Sequence, residues 1–162
     1  MILSESQNKI VCGEKEKRVA ITGHRTLESD FNEQIWYDLL LKVCDQYDTF
    51  LIGMAVGFDS VCFRTLEKIR KEKNIKLVAC VPCSDQSVRF SVSQKKEYER
   101  MIKSADQVIV LQDKYDFVCM HKRNKFMVDN ASLLIAYKRK NTGGTVFTIN
   151  YANEKNVPVI RI

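Results

Sequence analysis

Glycine, arginine and histidine residues gather in short polar segments, each of which follows an apolar run of the chain. These segments are Thr22-Gly23-His24-Arg25, residues 53–59, residues 82–86, residues 115–124 and residues 141–145. Glycine has no Cβ and lets a ligand approach the backbone N–H groups closely. Arginine makes charge-assisted, often bidentate contacts with phosphate groups. These residue types therefore predict a site for a phosphate-bearing ligand.

The last of these segments, Gly143-Gly144-Thr145, precedes a helical pattern. The free N–H groups and the dipole of a helix N-terminus favour an anion. Gly53 and Gly57 could open a second such position, and Arg25 and Arg123 could add direct contacts. Glycine pairs also make tight turns that bind nothing. The presence of both loops and both arginines at one sheet edge favours a ligand.

Cysteine and histidine offer other chemistry. Cys80-x-x-Cys83 has a redox or metal spacing, and Cys119 and His121 would complete a zinc site only if two loops meet. The fit is poor, so we predict reduced thiols and no metal. His24 and His121 lie in the predicted ligand loops, where a polar contact is a commoner role for histidine than catalysis.

The elements that must position these loops follow from hydrophobic periodicity. Continuous runs rich in Val, Ile and Leu occupy residues 18–22, 49–53, 76–81, 107–111, 132–137 and 158–162. Such runs are typical of strands that are buried on both faces, as in a parallel sheet. Five segments with helical spacing alternate with them. This order predicts an α/β fold, doubly wound, with a mainly parallel sheet of about six strands and helices on both faces.

The predicted helices carry apolar stripes that begin at Phe31, Cys62, Tyr98, Met120 and Val146. The stripe of the first predicted helix includes Ile35. In an open α/β sheet, ligands bind beyond the carboxyl ends of the strands, near the point where the strand order reverses. The glycines, histidines and loop arginines fall at that edge, whereas the opposite loops are plain polar turns. The asymmetry locates the predicted site.

Length and composition are those of one globular domain. The chain has 162 residues, of which 45% are hydrophobic and 28% charged. We assign residues 18–162 to a single domain and residues 1–17 to a polar lead-in, in which Ile10-Val11-Cys12 could add an edge strand. No apolar run approaches 18 residues, and Met1–Gln7 lacks the pattern of a secretory signal. The six cysteines are then expected to be reduced, and the protein cytoplasmic with no membrane contact.

The charge balance favours anionic partners. The net charge is +6, from 26 Lys and Arg against 20 Asp and Glu. A solvated basic surface explains most of this excess, although Lys138-Arg139-Lys140 precedes the glycine turn and could steer anions. The chain has neither a P-loop G-x-x-x-x-G-K-[ST] motif nor a G-x-G-x-x-G turn after its first strand. The first absence excludes a P-loop phosphotransferase, and the second argues against a standard nicotinamide-dependent oxidoreductase.

The motifs taken together, in this order and spacing, resemble the SLOG superfamily, and most closely its YpsA-like branch. The resemblance runs from about residue 18 to the end of the chain. It implies a Rossmann-like fold, a bacterial or phage origin, and a nucleotide-derived ligand such as ADP-ribose or NAD, with no further cofactor required. Related folds often pair through helices, so a homodimer is an open alternative.

The resemblance also implies the site residues. The residues from Gly53 to Asp59 would line the pocket, Gly143-Gly144-Thr145 would form its phosphate end, and Arg123, Asn124 and Asp129 would lie at or behind it. The predicted ligand-binding residues are Gly23, His24, Arg25, Gly53, Met54, Ala55, Gly57, Asp59, Gln86, His121, Arg123, Asn124, Gly143, Gly144 and Thr145.

One departure from the superfamily bears on function. LOG-type phosphoribohydrolases carry a glutamate one helical turn after the glycine turn, and Val146-Phe147-Thr148-Ile149 offers no acid here. Asp59 and Asp129 remain as the candidates for catalysis at an N-glycosidic bond. We therefore predict a binding protein that acts as a sensor, regulator or sequestering protein. A nucleotide N-glycosidic hydrolase or ribosyltransferase ranks second, and a DprA-like nucleic-acid binder ranks third.

Overall fold

A computed structural model describes residues 8–162 and contains one six-stranded sheet. All pairings between neighbouring strands are parallel, and the spatial order is β4-β3-β2-β1-β5-β6. This confirms the predicted α/β architecture. The strands are β1 (Arg18–Gly23), β2 (Thr49–Ile52), β3 (Lys76–Val81), β4 (Gln107–Val110), β5 (Leu133–Tyr137) and β6 (Val159–Arg161).

Five helices cover the two faces of the sheet. Alternate strand residues divide the core: Val19 and Ile21 pack with the first three helices, and Ala20 packs with the last two. In the described part of the chain, no helix combines the length and the apolar character needed to cross a bilayer. The helices are α1 (Glu33–Val43), α2 (Phe58–Arg70), α3 (Val92–Ser104), α4 (Cys119–Asp129) and α5 (Gly144–Glu154).

The strand order reverses between β1 and β5. The chain runs outward from β1 to β4 on one side and then returns to place β5 on the other side of β1. The connections that leave β1 and β5 therefore diverge to opposite faces, and a crevice opens between them at the carboxyl ends. This is the edge at which the sequence concentrates its glycines and loop arginines.

The helices differ in how their first turns are satisfied. Asn32 accepts N–H bonds at the start of α1, and Ser91 and Gln94 form a capping box on α3. Helices α2, α4 and α5 have no side-chain cap at their N-termini, which begin after Gly57, Val118 and Gly143. The uncapped helices are the three that begin around the crevice. Phe58 N at the start of α2 donates to His24 O at 3.1 Å, and Cys119 N at the start of α4 donates to Asp116 O at 3.4 Å. Among the described residues, α5 is therefore the uncapped helix whose first N–H groups remain for another acceptor.

The predicted edge strand at residues 10–12 is wrong. The side chain of Gln107 pairs with this segment instead, because its Oε1 accepts from Val11 N at 3.0 Å and its Nε2 donates to Lys9 O at 2.9 Å. Arg18 also holds the segment, through bonds to the carbonyl groups of Ile10 and other residues. The expectation for Met1–Gln7, and with it part of the lead-in 1–17, lies outside the described residues.

Two helix assignments also need correction. Ile35 is 68% exposed and does not contribute to the core, and α1 begins two residues after Phe31. Met120 lies on the crevice side of α4 and is only partly buried. In both cases an apolar residue matches the period of the helix but lies at the margin of its buried face.

Candidate functional site

The crevice at the switch point has a volume of about 490 Å³. Loops after β1, β2 and β5 and the first two turns of α4 form its walls. The structure brings together most of the residues that the sequence singles out. Those that line the crevice are Gly23, His24, Arg25, Gly53, Ala55, Asp59, His121, Arg123, Asn124, Gly143, Gly144 and Thr145.

His24 ties together the two loops that diverge from the switch point. Its Nε2 accepts from Arg139 N at 2.8 Å and from Lys140 N at 3.2 Å, so this nitrogen carries no proton. Burial and the nearby positive charge of Lys140 lower the pKa of the imidazole. A neutral histidine therefore fixes the loop that carries Lys140 to the crevice wall.

Arg123 forms part of the crevice floor and is only 5% exposed. Its Nη1 donates to Gly53 O, its Nε donates to Asn124 Oδ1 at 2.8 Å, and its Nη2 contacts Met120 Sδ at 3.7 Å. These acceptors are neutral, and the guanidinium forms no salt bridge with any described residue. Burial lowers its pKa. A buried cation without a bonded carboxylate attracts an anion from the crevice.

Gly53 is required by this arginine. A Cβ at Gly53 would lie 2.7 Å from the guanidinium carbon of Arg123. Gly57 has a φ of 85°, and a Cβ there would lie 2.1 Å from the carbonyl oxygen of Arg25. The interpretation of these two glycines as openings for a ligand is therefore corrected. They allow a side chain and a neighbouring loop of the protein itself to pack closely.

Asp59 is the carboxyl group of the crevice and is 6% exposed. Its Oδ2 accepts from Ala55 N at 3.1 Å, and its Oδ1 has no partner among the described residues. Burial raises the pKa of the carboxyl from 3.8 to about 6, against the opposing effects of Arg123, the Ala55 N–H and Arg25. The group therefore titrates close to neutral pH and can exchange a proton with its surroundings.

The start of α5 is the most open part of the crevice. Gly143 has a φ of 104°, and a Cβ there would meet nothing within 4 Å. A Cβ at Gly144 would meet only Asn124 Nδ2, at an ordinary contact distance of 3.7 Å. Thr145 is buried behind this turn. The first N–H groups of α5 therefore have room for an anion beside them.

His121 forms the wall between α4 and α5. Its ring packs against Phe147 with a centroid distance of 4.0 Å and an interplanar angle of 45°. Its Nδ1 is buried and has no partner in the described chain. The side chain therefore offers the crevice both an apolar surface and an unused polar atom.

Four predicted residues lie outside the crevice. The side chain of Met54 is buried in the core, although its backbone adopts a φ of 64°, and Gly57 caps α2 next to a cavity between α2 and α3. Gln86 lines a neighbouring cavity that is described below. Asp129 is exposed at the last residue of α4, where its Oδ1 accepts from Tyr151 OH at 2.8 Å. This position removes Asp129 as a candidate for crevice chemistry.

The predicted list also missed several lining residues. Thr22 and Thr142 flank the glycine motifs, and a wider window around each motif would include them. Met120 follows the helical period and is indistinguishable from core by sequence alone. Lys140 lies in a basic run that the sequence suggested could steer anions, but it was not predicted to line the site. The missed residues are Ile21, Thr22, Thr26, Met120, Lys140 and Thr142.

The cysteine residues form no site of their own in the structure. Cys80, Cys83 and Cys119 are buried free thiols, and burial raises the pKa of Cys80 to about 12. Among residues 8–162, no three His, Cys, Asp or Glu side chains come together in a way that could hold a metal ion.

Comparison with known families gives an independent assignment. The family model YpsA, described as the YspA SLOG family, matches residues 11–158. The chain belongs to the YpsA family of SLOG proteins. This YpsA-family protein is also 30% identical, over 138 residues, to the uncharacterized SPbeta prophage-derived protein YoqJ of Bacillus subtilis (strain 168). That alignment covers 72% of this chain and 80% of YoqJ.

Solved structures with the same fold include two DNA processing proteins A (DprA). The Streptococcus pneumoniae protein matches with a TM-score of 0.72 over 91% of this chain. The Helicobacter pylori protein, described in a single-stranded DNA binding mode, matches with a TM-score of 0.68 over 91%. Both are 16% identical to this chain, which spans 50% and 65% of their lengths. The likeness shows a shared fold.

A molybdenum cofactor binding protein from Rippkaea orientalis matches as well. Its TM-score is 0.59 at 16% identity, over 92% of this chain and 77% of that one. The same fold thus occurs in a protein described as binding single-stranded DNA and in one described as binding the molybdenum cofactor.

Proposed function

We propose that this YpsA-family protein binds a nucleotide-derived small molecule, such as ADP-ribose, NAD or a relative, in the crevice and acts as a sensor, regulator or sequestering protein. One observation carries the proposal. The uncapped start of α5 opens onto the same crevice whose floor contains the buried Arg123. Unbonded backbone donors and a buried cation with no paired carboxylate together favour a phosphate.

The charges around the crevice support an anionic ligand. Arg25, Lys140 and Arg123 line it, whereas Asp59 is its one acidic residue among those described. Arg25 and Lys140 are exposed at the mouth, and Arg123 lies in the floor. Exposed cations attract an approaching anion, and a partly desolvated one binds it more strongly.

The polar groups also suggest how such a ligand would lie. A phosphate fits against the N–H groups that follow Gly143, where no Cβ intrudes. Asp59 Oδ1 has no hydrogen-bond donor among residues 8–162, and a ribose hydroxyl would supply one. We therefore place the phosphate at the start of α5 and the ribose over Asp59.

An N-glycosidic hydrolase or ribosyltransferase is the second candidate, and Asp59 is the observation that favours it. A carboxyl group with a pKa near 6 can take part in acid–base chemistry at neutral pH. Mass analysis would detect release of a free base from AMP or NAD with time. Release that stops in Asp59→Asn would establish an enzyme, and an unchanged ligand recovered from the protein would establish a binder.

The nucleic-acid alternative draws on the shared fold with DprA, and the basic run 138–140 gives it little support. Arg139 donates to Ile162 O at 2.6 Å, lies 3.6 Å from Asp30, and covers the Tyr137 ring at 4.5 Å. Lys138 donates to Asn141. Arg139 is thus engaged within the protein, and Lys138 is partly engaged through a neutral amide oxygen. A salt titration with single-stranded DNA tests the alternative, because phosphate contacts give a steep dependence on salt.

The function is tested by a thermal-shift and calorimetric panel with ADP-ribose, NAD, cyclic ADP-ribose and AMP. A ligand at 100 times its Kd adds about 2.7 kcal/mol, which raises Tm by roughly 5–10 °C in a domain of this size. Gly144→Val places a branched side chain beside the proposed phosphate position and should abolish the shift. Asn150→Val adds the same side chain at an exposed position of α5 and should not. If no panel member shifts Tm, the small-molecule function is wrong.

A further inference from the structure

A second cavity of about 550 Å³ adjoins the crevice. Arg25, Ala55 and Met120 line both spaces, so the two meet at these residues. The second cavity lies between the loop that follows β3 and the loop that precedes α4. A ligand whose phosphate lies at the start of α5 can therefore extend past Ala55 into it.

Gln86 gives this cavity a defined polar group. The residue is 8% exposed, and its Nε2 donates to Gly53 O at 3.1 Å. A carbonyl oxygen can only accept, so this bond fixes which end of the carboxamide is the oxygen. The Oε1 is buried and has no donor among the described residues. A buried acceptor without a partner costs about 1–3 kcal/mol, which a ligand donor would recover.

Gly53 O connects the two spaces. It accepts from Arg123 in the crevice floor and from Gln86 in the second cavity. Gly53 O therefore helps to position two side chains. Arg123 would face the phosphate end of the ligand, and Gln86 would face its other end.

The remaining walls suit a planar, polarisable group. Tyr115 is 58% exposed and lies at one side of the cavity, with Arg89 and Phe90 also lining it. Aromatic rings and arginine side chains both stack on nucleobases. Asp85 Oδ1 accepts from Tyr115 N at 2.9 Å, and Ser84 N donates to the carbonyl groups of residues 112 and 113. These bonds hold the two loops, and with them Tyr115, in place.

We propose that this second cavity is the nucleobase subsite, and that Gln86 Oε1 selects a base that carries an exocyclic amino group. The inference rests on the proposed function and names the base-recognition element of the same ligand. The 6-amino group of adenine would donate to Oε1, whereas the 6-carbonyl of hypoxanthine at the same place would put two acceptors together. Sites that contain a buried polar group discriminate strongly against a ligand that leaves the group unpaired.

Calorimetry with AMP, IMP and ribose 5-phosphate tests the subsite. We expect AMP to bind at least 10-fold more tightly than IMP, and Gln86→Leu to bring the two affinities to within about 2-fold of each other. Tyr115→Ala should weaken AMP by about 5- to 150-fold, the usual range for a stacked base. Ribose 5-phosphate has no base, so its affinity should not change in Tyr115→Ala.

Phe117→Ala is the matched control. Phe117 is two residues further along the same loop, is 87% exposed and lines neither space, so its loss should leave AMP affinity unchanged. If AMP and IMP bind equally, or if Tyr115→Ala has no more effect than Phe117→Ala, the subsite is wrong while the proposed function stands. If ADP-ribose binds and AMP does not, the nucleobase subsite is also wrong, and the proposed function still stands. If no nucleotide binds, both fail.

Discussion

Asp59 provides the sharpest test of the electrostatics of the crevice. Burial raises the pKa of its carboxyl from 3.8 to about 6, so the folded state holds a proton that the unfolded state has lost at pH 4–6. A group with a raised acid pKa contributes stability below its unfolded pKa, and that stability disappears as pH rises through the folded pKa. A difference of about two pKa units corresponds to about 3 kcal/mol above pH 6.

Asp59→Asn removes the dependence of stability on pH that comes from this carboxyl group. Its side-chain oxygen can still accept from Ala55 N, and it carries no charge to bury. The free energy of unfolding of the variant, relative to the wild type, should therefore rise by about 2.5 kcal/mol between pH 4 and pH 8. In a domain of this size, that is a change of roughly 5–10 °C in the Tm difference. The variant should also bind ribose-containing ligands more weakly, because it loses the carboxylate acceptor.

Chemical denaturation of both proteins at several pH values measures the difference in their free energies of unfolding directly. The other titrating groups are common to both proteins, so their contributions cancel in that difference. Glu99→Gln is the control for the loss of one negative charge, since it makes the same charge change at an exposed position of α3. If Asp59→Asn runs parallel to the wild type, Asp59 is ionised in the folded state at its ordinary pKa. In that event Arg123 balances the cost of burial, and the reasoning fails.

Three further predictions concern the loops around the crevice. Gly143→Ala should lower the free energy of unfolding by about 1–3 kcal/mol, because Gly143 has a φ of 104°. Gly144→Ala adds only an ordinary contact at 3.7 Å and should leave Tm within a few degrees of the wild type. Thermal melts of the two variants compare these effects. Gly53→Ala should cost about 1–3 kcal/mol by displacing the Arg123 guanidinium, and equal stability by denaturant titration would contradict that contact. His24 has a lowered pKa, so its contribution is complete above about pH 6.5 and is lost as pH falls towards the folded pKa. His24→Gln should flatten that part of the stability profile, and an unchanged profile would count against the bond to the loop after β5.

The sequence is sufficient to predict the sheet, because each buried strand is a continuous apolar run and a segment with helical spacing separates each run from the next. The edge strands are less buried, and β6 has only three residues. Residues 10–12 look like an edge strand, yet a single glutamine side chain satisfies their backbone. A long-range pairing through Gln107, nearly a hundred residues away, leaves no local pattern.

The glycine loops show where a single sequence becomes ambiguous. Gly53, Gly57 and Gly143 look equivalent, since each lies between a strand and a helix. In the structure, the missing Cβ of Gly53 makes room for Arg123, and that of Gly57 makes room for the backbone of Arg25, while that of Gly143 faces open space. A sequence shows that a side chain is absent but not what occupies the space.

The crevice floor combines features that are costly for folding. Within residues 8–162, no carboxylate bonds to the buried Arg123, and one oxygen of the buried Asp59 has no partner, although the two charges are close enough to influence each other. A direct salt bridge between Arg123 and Asp59 would pair both charges, and neither would then be available to a ligand in the crevice. Their separate placement instead leaves the cation for a phosphate and the carboxyl for a hydroxyl donor. An anion beside Arg123 would cancel the positive potential that favours the ionised form of Asp59, and would therefore raise the pKa of that carboxyl. A hydroxyl that donates to Oδ1 would favour the ionised form and lower the pKa. The proton balance on binding, measured calorimetrically in buffers of different ionisation enthalpy, therefore reports which of the two contacts a ligand makes.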